Sequence, residues 1–527
     1  MRFFACCLSL AAAAAAPRNV LLMLVDDGGF ESPIWDPTIA LRTPNIEALA
    51  NRSTLFERAY TAVSSCSPSR SAILSGLPTH QNGMYGLHQA PGNFQSSADV
   101  TSLPNLLNGA GYKTGILGKH HVGPLASYAF GYGTTAEHCW AGALGNPNTD
   151  GADPDRCAAD YNTVARNTTA MRAHARAFLR EAPDAPFFLY VGFGDVHRCA
   201  YGGALGNFCE LYGAGGAGGA IADWTPQVFD AADVTVPPFL PDTAEVRAEV
   251  GAQWTAWSRL DSVVGALLAE TAAWADDTLV LFFSDNGVPF PSAKTNLAYE
   301  QGQREPLLIA RPGAAAPARC ARVVSALDLL PTVLRWANVT YPRDATAAGK
   351  AVGALTGASL LPLLGGGDDD APGGGWRDTA FGSHQFHSLY AYYPTRSLVT
   401  PRYRLVHNLA PSLKFAILED VEGTATWRDI ARAGEAGEPF PLGWVYNYSA
   451  YMRRPEWQLF DVRADPLCQR DLAAEPASAN ASEALAELQA ALAAWQRDTN
   501  DPWAPCDPQL PNATNDWLAT HSEICSF

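Results

Sequence analysis

Five residues, Cys66-Ser67-Pro68-Ser69-Arg70, set a thiol and a guanidinium four positions apart, a spacing that a helix turns onto one face. Pro68 suits the first turn of a helix, whose N–H groups have no intrahelical partner. Cys66 then stands at the helix mouth, where the dipole and the exposed N–H groups attract anions. A helix mouth, an arginine and a reactive sulfur suit a tetrahedral anion. A cysteine before a helix is more often a buried small hydrophobe or half of a disulfide. The motif does not decide the matter alone.

Other chemistry-bearing residues fall at the ends of apolar runs. Residues 19–25 form a continuous apolar run, as expected of a strand buried on both faces, and lead into Asp26-Asp27-Gly28-Gly29. Open α/β sheets place ligands beyond the carboxyl ends of their strands. Two adjacent aspartates there repel each other unless a cation neutralises them. A second run, 278–284, leads into Asp285-Asn286-Gly287. Asp26, Asp27, Asp285 and Asn286 offer only hard oxygen donors, which suit calcium or magnesium rather than zinc. Residues 114–118 read as a strand leading into Lys119-His120-His121, and the run 186–193 delivers Asp195-Val196-His197. Lys119 and His121, two apart, are predicted to project to one side of an extended segment.

Cys66-Ser67-Pro68-Ser69-Arg70 and the text after it, Gly76-Leu77-Pro78-Thr79-His80, resemble the C-x-P-S-R region of the type I sulfatases. That resemblance runs from about Arg18 to about Trp503 and implies an α/β, alkaline-phosphatase-like fold. In it a large mixed sheet is flanked by helices, and a smaller C-terminal domain carries an antiparallel sheet and a helix. It implies conversion of Cys66 to formylglycine, whose hydrated aldehyde is the nucleophile. It further implies Ca2+ (or Mg2+) held by Asp26, Asp27, Cys66 in its converted form, Asp285 and Asn286. Arg70, Lys119 and Lys294 would stabilise the transferring SO3 group. His121 would take a proton from the second hydroxyl, and His197 would protonate the leaving group. Val196 departs from the family, which usually has proline before this histidine.

Within the family the likeness is strongest to the sulfamidase branch. It implies hydrolysis of N-linked sulfate from N-sulfoglucosamine at the non-reducing end of heparan-type glycans. The alternative is an O-sulfatase acting on a sulfated sugar or aryl sulfate; Lys294, where the sulfamidases carry arginine and many other sulfatases lysine, keeps it open.

The elements that must position these groups need a large scaffold. A chain of 527 residues exceeds the size at which one core keeps growing. Residues 1–16 read as a cleaved signal peptide, 17–375 as a catalytic domain, and 376–527 as a smaller α+β domain after the glycine-rich stretch 365–375. Leu485, Leu488, Leu492 and Trp495 recur at helical spacing, which is core packing. The net charge of −17 disfavours nucleic acid or an anionic membrane as partner. Beyond the signal no apolar run reaches the roughly 20 residues of a membrane span.

Eleven cysteines, less two in the signal and Cys66, leave an even eight. Close spacing favours Cys199–Cys209 and Cys506–Cys525, then Cys139–Cys157, leaving Cys320–Cys468. With six Asn-x-Ser/Thr sequons (Asn51, Asn167, Asn338, Asn447, Asn480, Asn512) this points to the secretory pathway, lysosomal or secreted. The implied partners are a sulfated glycan substrate and, during maturation, a formylglycine-generating enzyme, with a homodimer left open.

Overall fold

The structure is a computed structural model that describes residues 18–29, 34, 39–89, 92–135, 162–181, 184–199, 208–215, 219–365, 375–438, 443–474 and 479–504. Eight strands make the main sheet: β1 Asn19–Val25, β2 Thr54–Tyr60, β3 Lys113–Gly118, β4 Tyr132–Thr134, β5 Phe187–Gly192, β6 Thr278–Ser284, β7 Arg304–Ala310 and β8 Ala318–Ser325. Their order is β4-β3-β5-β1-β6-β7-β2-β8. Only β7 runs against its neighbours β6 and β2, so the sheet is mixed. The seven other strands all end at one edge, where β1, β3, β5 and β6 hand over to the residues singled out above.

The apolar run of β1 is buried on both faces, as its sequence requires. Leu21, Met23 and Val25 pack into one core with the helices Thr168–Glu181 and Ala244–Glu270. Val20, Leu22 and Leu24 pack into the other with the helices Cys66–Ser75 and Leu329–Ala337. The period of two along the strand therefore separates two cores, one on each face of the main sheet.

After a two-stranded ribbon, β9 Thr346–Ala347 with β10 Lys350–Ala351, the chain builds a second sheet. Strands β11 Ala380–Phe386, β12 Tyr392–Val399, β13 Tyr403–Asn408 and β14 Trp457–Asp461 pair antiparallel in sequence order. The helix Ala479–Asp498 lays Leu488, Leu492 and Trp495 on Leu398, Leu405 and Leu459. Between β13 and β14 the chain returns to the main sheet, putting Leu418, Val421, Trp427 and Tyr451 into the first core. That detour carries residues of the second half to the edge where β1, β3, β5 and β6 end.

Cys199 and Cys209 are joined, as their spacing suggests. Cys506–Cys525 and Cys139–Cys157 lie outside the described residues. The expected Cys320–Cys468 bridge is not formed. Cys320 is on β8 in the second core and Cys468 is buried in the first, with the sheet between them.

Candidate active site

Ser65 is extended and the helix begins at Cys66, with Pro68 in its first turn. Every residue from Cys66 to Ser75 is buried, so this helix mouth faces the protein interior. Ser69 Oγ and Thr61 Oγ1 both donate to the carbonyl of Asp285, at 2.6 and 2.8 Å, tying the Cys66 helix to the end of β6.

Arg70 is fully buried and organises the carboxylates. Its Nε and Nη2 lie 2.9 and 2.8 Å from Asp285 Oδ2, and Nη2 is also 3.2 Å from Asp26 Oδ1. Its Nη1 donates to the Lys119 carbonyl at 3.0 Å and to Tyr190 Oη at 3.2 Å. Lys119 Nζ reaches both oxygens of Asp26, at 2.8 and 2.7 Å. A side chain at Gly192 would meet the Lys119 carbonyl at 2.0 Å and Arg70 Nη1 at 2.9 Å, so only glycine fits beside this pair.

Asp27 adopts a left-handed backbone (φ 57°), uncommon for a non-glycine residue. Its N–H donates to Asp285 Oδ1 at 3.0 Å, and its Oδ1 accepts from Asn286 Nδ2 at 2.7 Å. Cys66 Sγ is 3.7 Å from Asp27 Oδ1. Lys294 Nζ donates to Asp27 Oδ2 at 2.8 Å and to Asp420 Oδ2 at 2.9 Å, and is 3.1 Å from His197 Nε2. His197 Nδ1 faces the Arg198 carbonyl, which can only accept, so Nδ1 carries a proton and Nε2 is the ring nitrogen turned toward Lys294 and Asp420.

His121 is placed at the margin. Its Nε2 contacts Gln89 Oε1, with the charges of Lys119, Arg70 and Asp26 close enough to act on it. The expected projection of Lys119 and His121 to one side of an extended segment is not observed. The chain is left-handed at Gly118 (φ 81°) and again at His121 (φ 57°), so the pleat of an extended strand does not apply. Burial, then Lys119, hold His121 well below the usual histidine range.

The charges are strongly coupled. Burial opposes ionisation of Asp26, yet Lys119, His197 and Arg70 hold it well below the usual carboxylate range. Asp285 goes the other way: burial outweighs Arg70, and with Asp26 and Asp27 adjacent it is pushed up to about 7. Lys294 stays well above the usual lysine range despite burial, because Asp27 and Asp420 flank it. Burial pushes the Cys66 thiol well above its ordinary value, so as a thiol it is a poor nucleophile.

Lys119, Arg70 and Lys294 thus neutralise much of the carboxylate charge, and like-charge repulsion alone does not demand a metal. A better pointer is Asn286 Oδ1, which is buried without a hydrogen-bond partner. One oxygen each of Asp26 and Asp285 and the sulfur of Cys66 lie within 4.8 Å of one another. Hard oxygens plus an orphaned amide oxygen fit a divalent cation of the calcium or magnesium type.

Several residues here escaped the sequence reading. Asp420, from the short helix Glu419–Glu422, closes the site over Lys294 and His197. His387 Nδ1 pairs with Ser65 Oγ at 2.9 Å beside the Cys66 helix. Asp195 is gripped by Arg166 and Arg259, which fixes the loop carrying His197. Asp420 is isolated in sequence and no local pattern marks it, whereas Asp195 stands beside His197 at a strand end and only its role went unread.

This sheet, these strand ends and this helix mouth define a sulfatase. The sulfatase family profile matches residues 18–339, and the chain belongs to that family of hydrolases. The chain is similar over almost its whole length to human N-sulphoglucosamine sulphohydrolase: 44% identical over 515 residues, 96% of this chain and 95% of the relative. Solved structures share the alkaline-phosphatase-like fold. A 2-O GAG sulfatase aligns with TM-score 0.59 at 18% identity, covering 92% of this chain and 93% of its own. A phosphonate monoester hydrolase from Silicibacter pomeroyi aligns with TM-score 0.60 at 17% identity, covering 92% and 96%.

Proposed function

We propose that this protein hydrolyses the N-linked sulfate of N-sulfoglucosamine at the non-reducing end of heparan-type glycans. The observation that carries this is the 44% identity to the human sulphohydrolase, sustained over 96% of the chain and so extending far beyond the sulfatase motifs.

On this reading Asp26, Asp27, Asp285 and Asn286 hold a divalent ion, calcium or alternatively magnesium, together with the converted Cys66. When bound, that ion polarises a sulfate oxygen and favours the deprotonated nucleophile. Conversion of Cys66 to formylglycine supplies a hydroxyl nucleophile where the high-pKa thiol would serve poorly. Arg70, Lys119 and Lys294 present cations to the developing charge on the SO3 group. Holding Arg70 in place are five bonds, to Asp26, Asp285, Lys119 and Tyr190, so little reorganisation accompanies reaction. His197 hands a proton from Nε2 to the leaving nitrogen, its ring fixed by the Arg198 carbonyl. His121 serves as the base that takes a proton from the second hydroxyl of the hydrate.

The same reading includes processing of Cys66 by a formylglycine-generating enzyme and passage through the secretory pathway to a lysosomal or secreted destination. No described helix is long and apolar enough to cross a membrane. The chain divides near residue 375, a proposal supported by the second sheet starting at Ala380. The test is turnover of N-sulfoglucosamine against glucosamine 6-O-sulfate. Hydrolysis of the first is expected; robust hydrolysis of the second alone would make the protein an O-sulfatase.

A further inference from the structure

We propose that Asp420 makes this site choose a sulfamate nitrogen over an ester oxygen, by accepting a hydrogen bond from the N–H of the scissile S–N group. The inference rests on the sulfamidase reading above and names the side chain that would impose it.

If His197 Nε2 delivers the proton, the leaving atom sits about 3 Å from that nitrogen in the productive complex. Asp420 Oδ2 is 3.4 Å from the same Nε2, so its carboxylate is within reach of that atom as well. Oδ2 already accepts from Lys294 Nζ at 2.9 Å, and no hydrogen bond among the described residues occupies Oδ1. The side chain is 22% exposed, whereas Lys294 behind it is fully enclosed. Asp420 therefore stands between the buried cations and the open side of the site. It also lies apart from the proposed metal ligands, being linked to Asp27 only through Lys294 and His197.

The two substrate classes differ at this one atom. A sulfamate nitrogen carries an N–H, whereas an ester oxygen carries only lone pairs. A fixed carboxylate accepts a charge-assisted bond from the first and repels the second. As sulfur forms its bond to the nucleophile oxygen, the S–N bond breaks and its electron pair passes to nitrogen. That nitrogen takes the proton from His197 Nε2 and keeps its own N–H, leaving as a primary amine. A further proton from solvent makes it an ammonium, which the same carboxylate favours. An alcohol leaving group has only the proton it receives from His197 and nothing to offer Asp420. Burial opposes the charge on Asp420, but Lys294, His197 and His387 hold its carboxyl well below the usual range, so it is an acceptor throughout.

The test is Asp420→Asn in the mature enzyme. The amide oxygen keeps the Lys294 hydrogen bond and the shape while removing the charge. The readout is kcat/KM for N-sulfoglucosamine divided by kcat/KM for 4-methylumbelliferyl sulfate. That ratio is expected to fall by about 10- to 100-fold. Equal losses on both substrates, as a merely structural role would give, overturn the proposal. Should the variant not fold, inhibition of the wild type by glucosamine and by glucose decides. Glucosamine is expected to inhibit at least tenfold better, and equal inhibition overturns the proposal. A wild type that leaves N-sulfoglucosamine intact overturns the functional reading itself. Wild-type turnover with an unchanged ratio in Asp420→Asn overturns this inference alone.

Discussion

Arg259 holds Asp195 in a buried fork, with Nε 2.8 Å from Oδ2 and Nη2 2.7 Å from Oδ1. Arg166 reaches Oδ1 from the other side at 2.5 Å. Asp195 is two residues before His197, and the Asp195 carbonyl accepts from the Asp26 N–H at 3.0 Å. The fork therefore sets the loop that carries the proposed acid against the strand end that carries the proposed metal ligands.

Arg259→Gln should accordingly affect both fold and rate. Breaking a buried ion pair by removing one partner costs about 3–5 kcal/mol, read from urea unfolding. A displaced His197 should lower kcat by about 100-fold with a smaller change in KM. An unchanged kcat in a folded variant would show that the loop is positioned some other way.

Cys66 is expected to be formylglycine in active protein, and mass spectrometry of the peptide ending at Arg70 checks this directly. Cys66→Ala should abolish turnover while the unfolding free energy stays within about 1 kcal/mol of wild type, because only a small buried side chain is trimmed. Full activity with an intact thiol would refute the assignment.

Removing divalent cations with a chelator should abolish turnover and lower the thermal midpoint, and calcium should restore both. At a cation concentration 100 times the dissociation constant, binding adds about 2.7 kcal/mol of stability. Asn286→Ala, which deletes the orphaned Oδ1, should need more calcium for the same recovery. Calorimetric titration of calcium into chelator-treated wild type and variant measures that difference.

His80 predicts a loss of stability in acid. Its ring lies between Ser383 Oγ and Thr499 Oγ1, at 2.8 and 2.7 Å, with Trp495 edge-on at 4.9 Å. Burial lowers its pKa from 6.5 to about 4. The unfolded chain then binds the proton first, so the neutral ring's contribution is complete above pH 6.5 and is lost as pH falls toward 4. At pH 4 the loss amounts to about 3 kcal/mol. His80→Gln should be less stable at pH 7, with a shallower decline between pH 6.5 and 4, measured by urea unfolding across that range.

Much of the site was legible because it lies where apolar runs stop. Asn19–Val25 and Thr278–Ser284 announced buried strands, and Asp26, Asp27, Asp285 and Asn286 followed directly. The Cys66 helix was legible from Pro68 and the spacing to Arg70. His121 was found through family likeness, since the pleat argument fails where Gly118 and His121 turn left-handed. Asp420 was invisible for another reason. It reaches the site only because the chain leaves the second sheet after β13 and returns to the first core, a long-range event without a local signature. The antiparallel β7 was equally unmarked, since a buried strand reads alike in either direction.

One consequence of the Cys66 helix concerns time rather than space. Cys66 is 1% exposed, and its neighbours Ser65, Ser67 and Ser69 are fully enclosed. On the proposed conversion of Cys66, an enzyme that rewrites this thiol would have to bind the surrounding segment, and in the finished molecule nothing of that segment is on offer. The proposed alteration would then have a deadline, set when the helix docks against the end of β6 through Ser69 and Thr61. On that reading a chain that folds before it is processed would be well packed yet inert, and the speed of folding would compete with the yield of working enzyme.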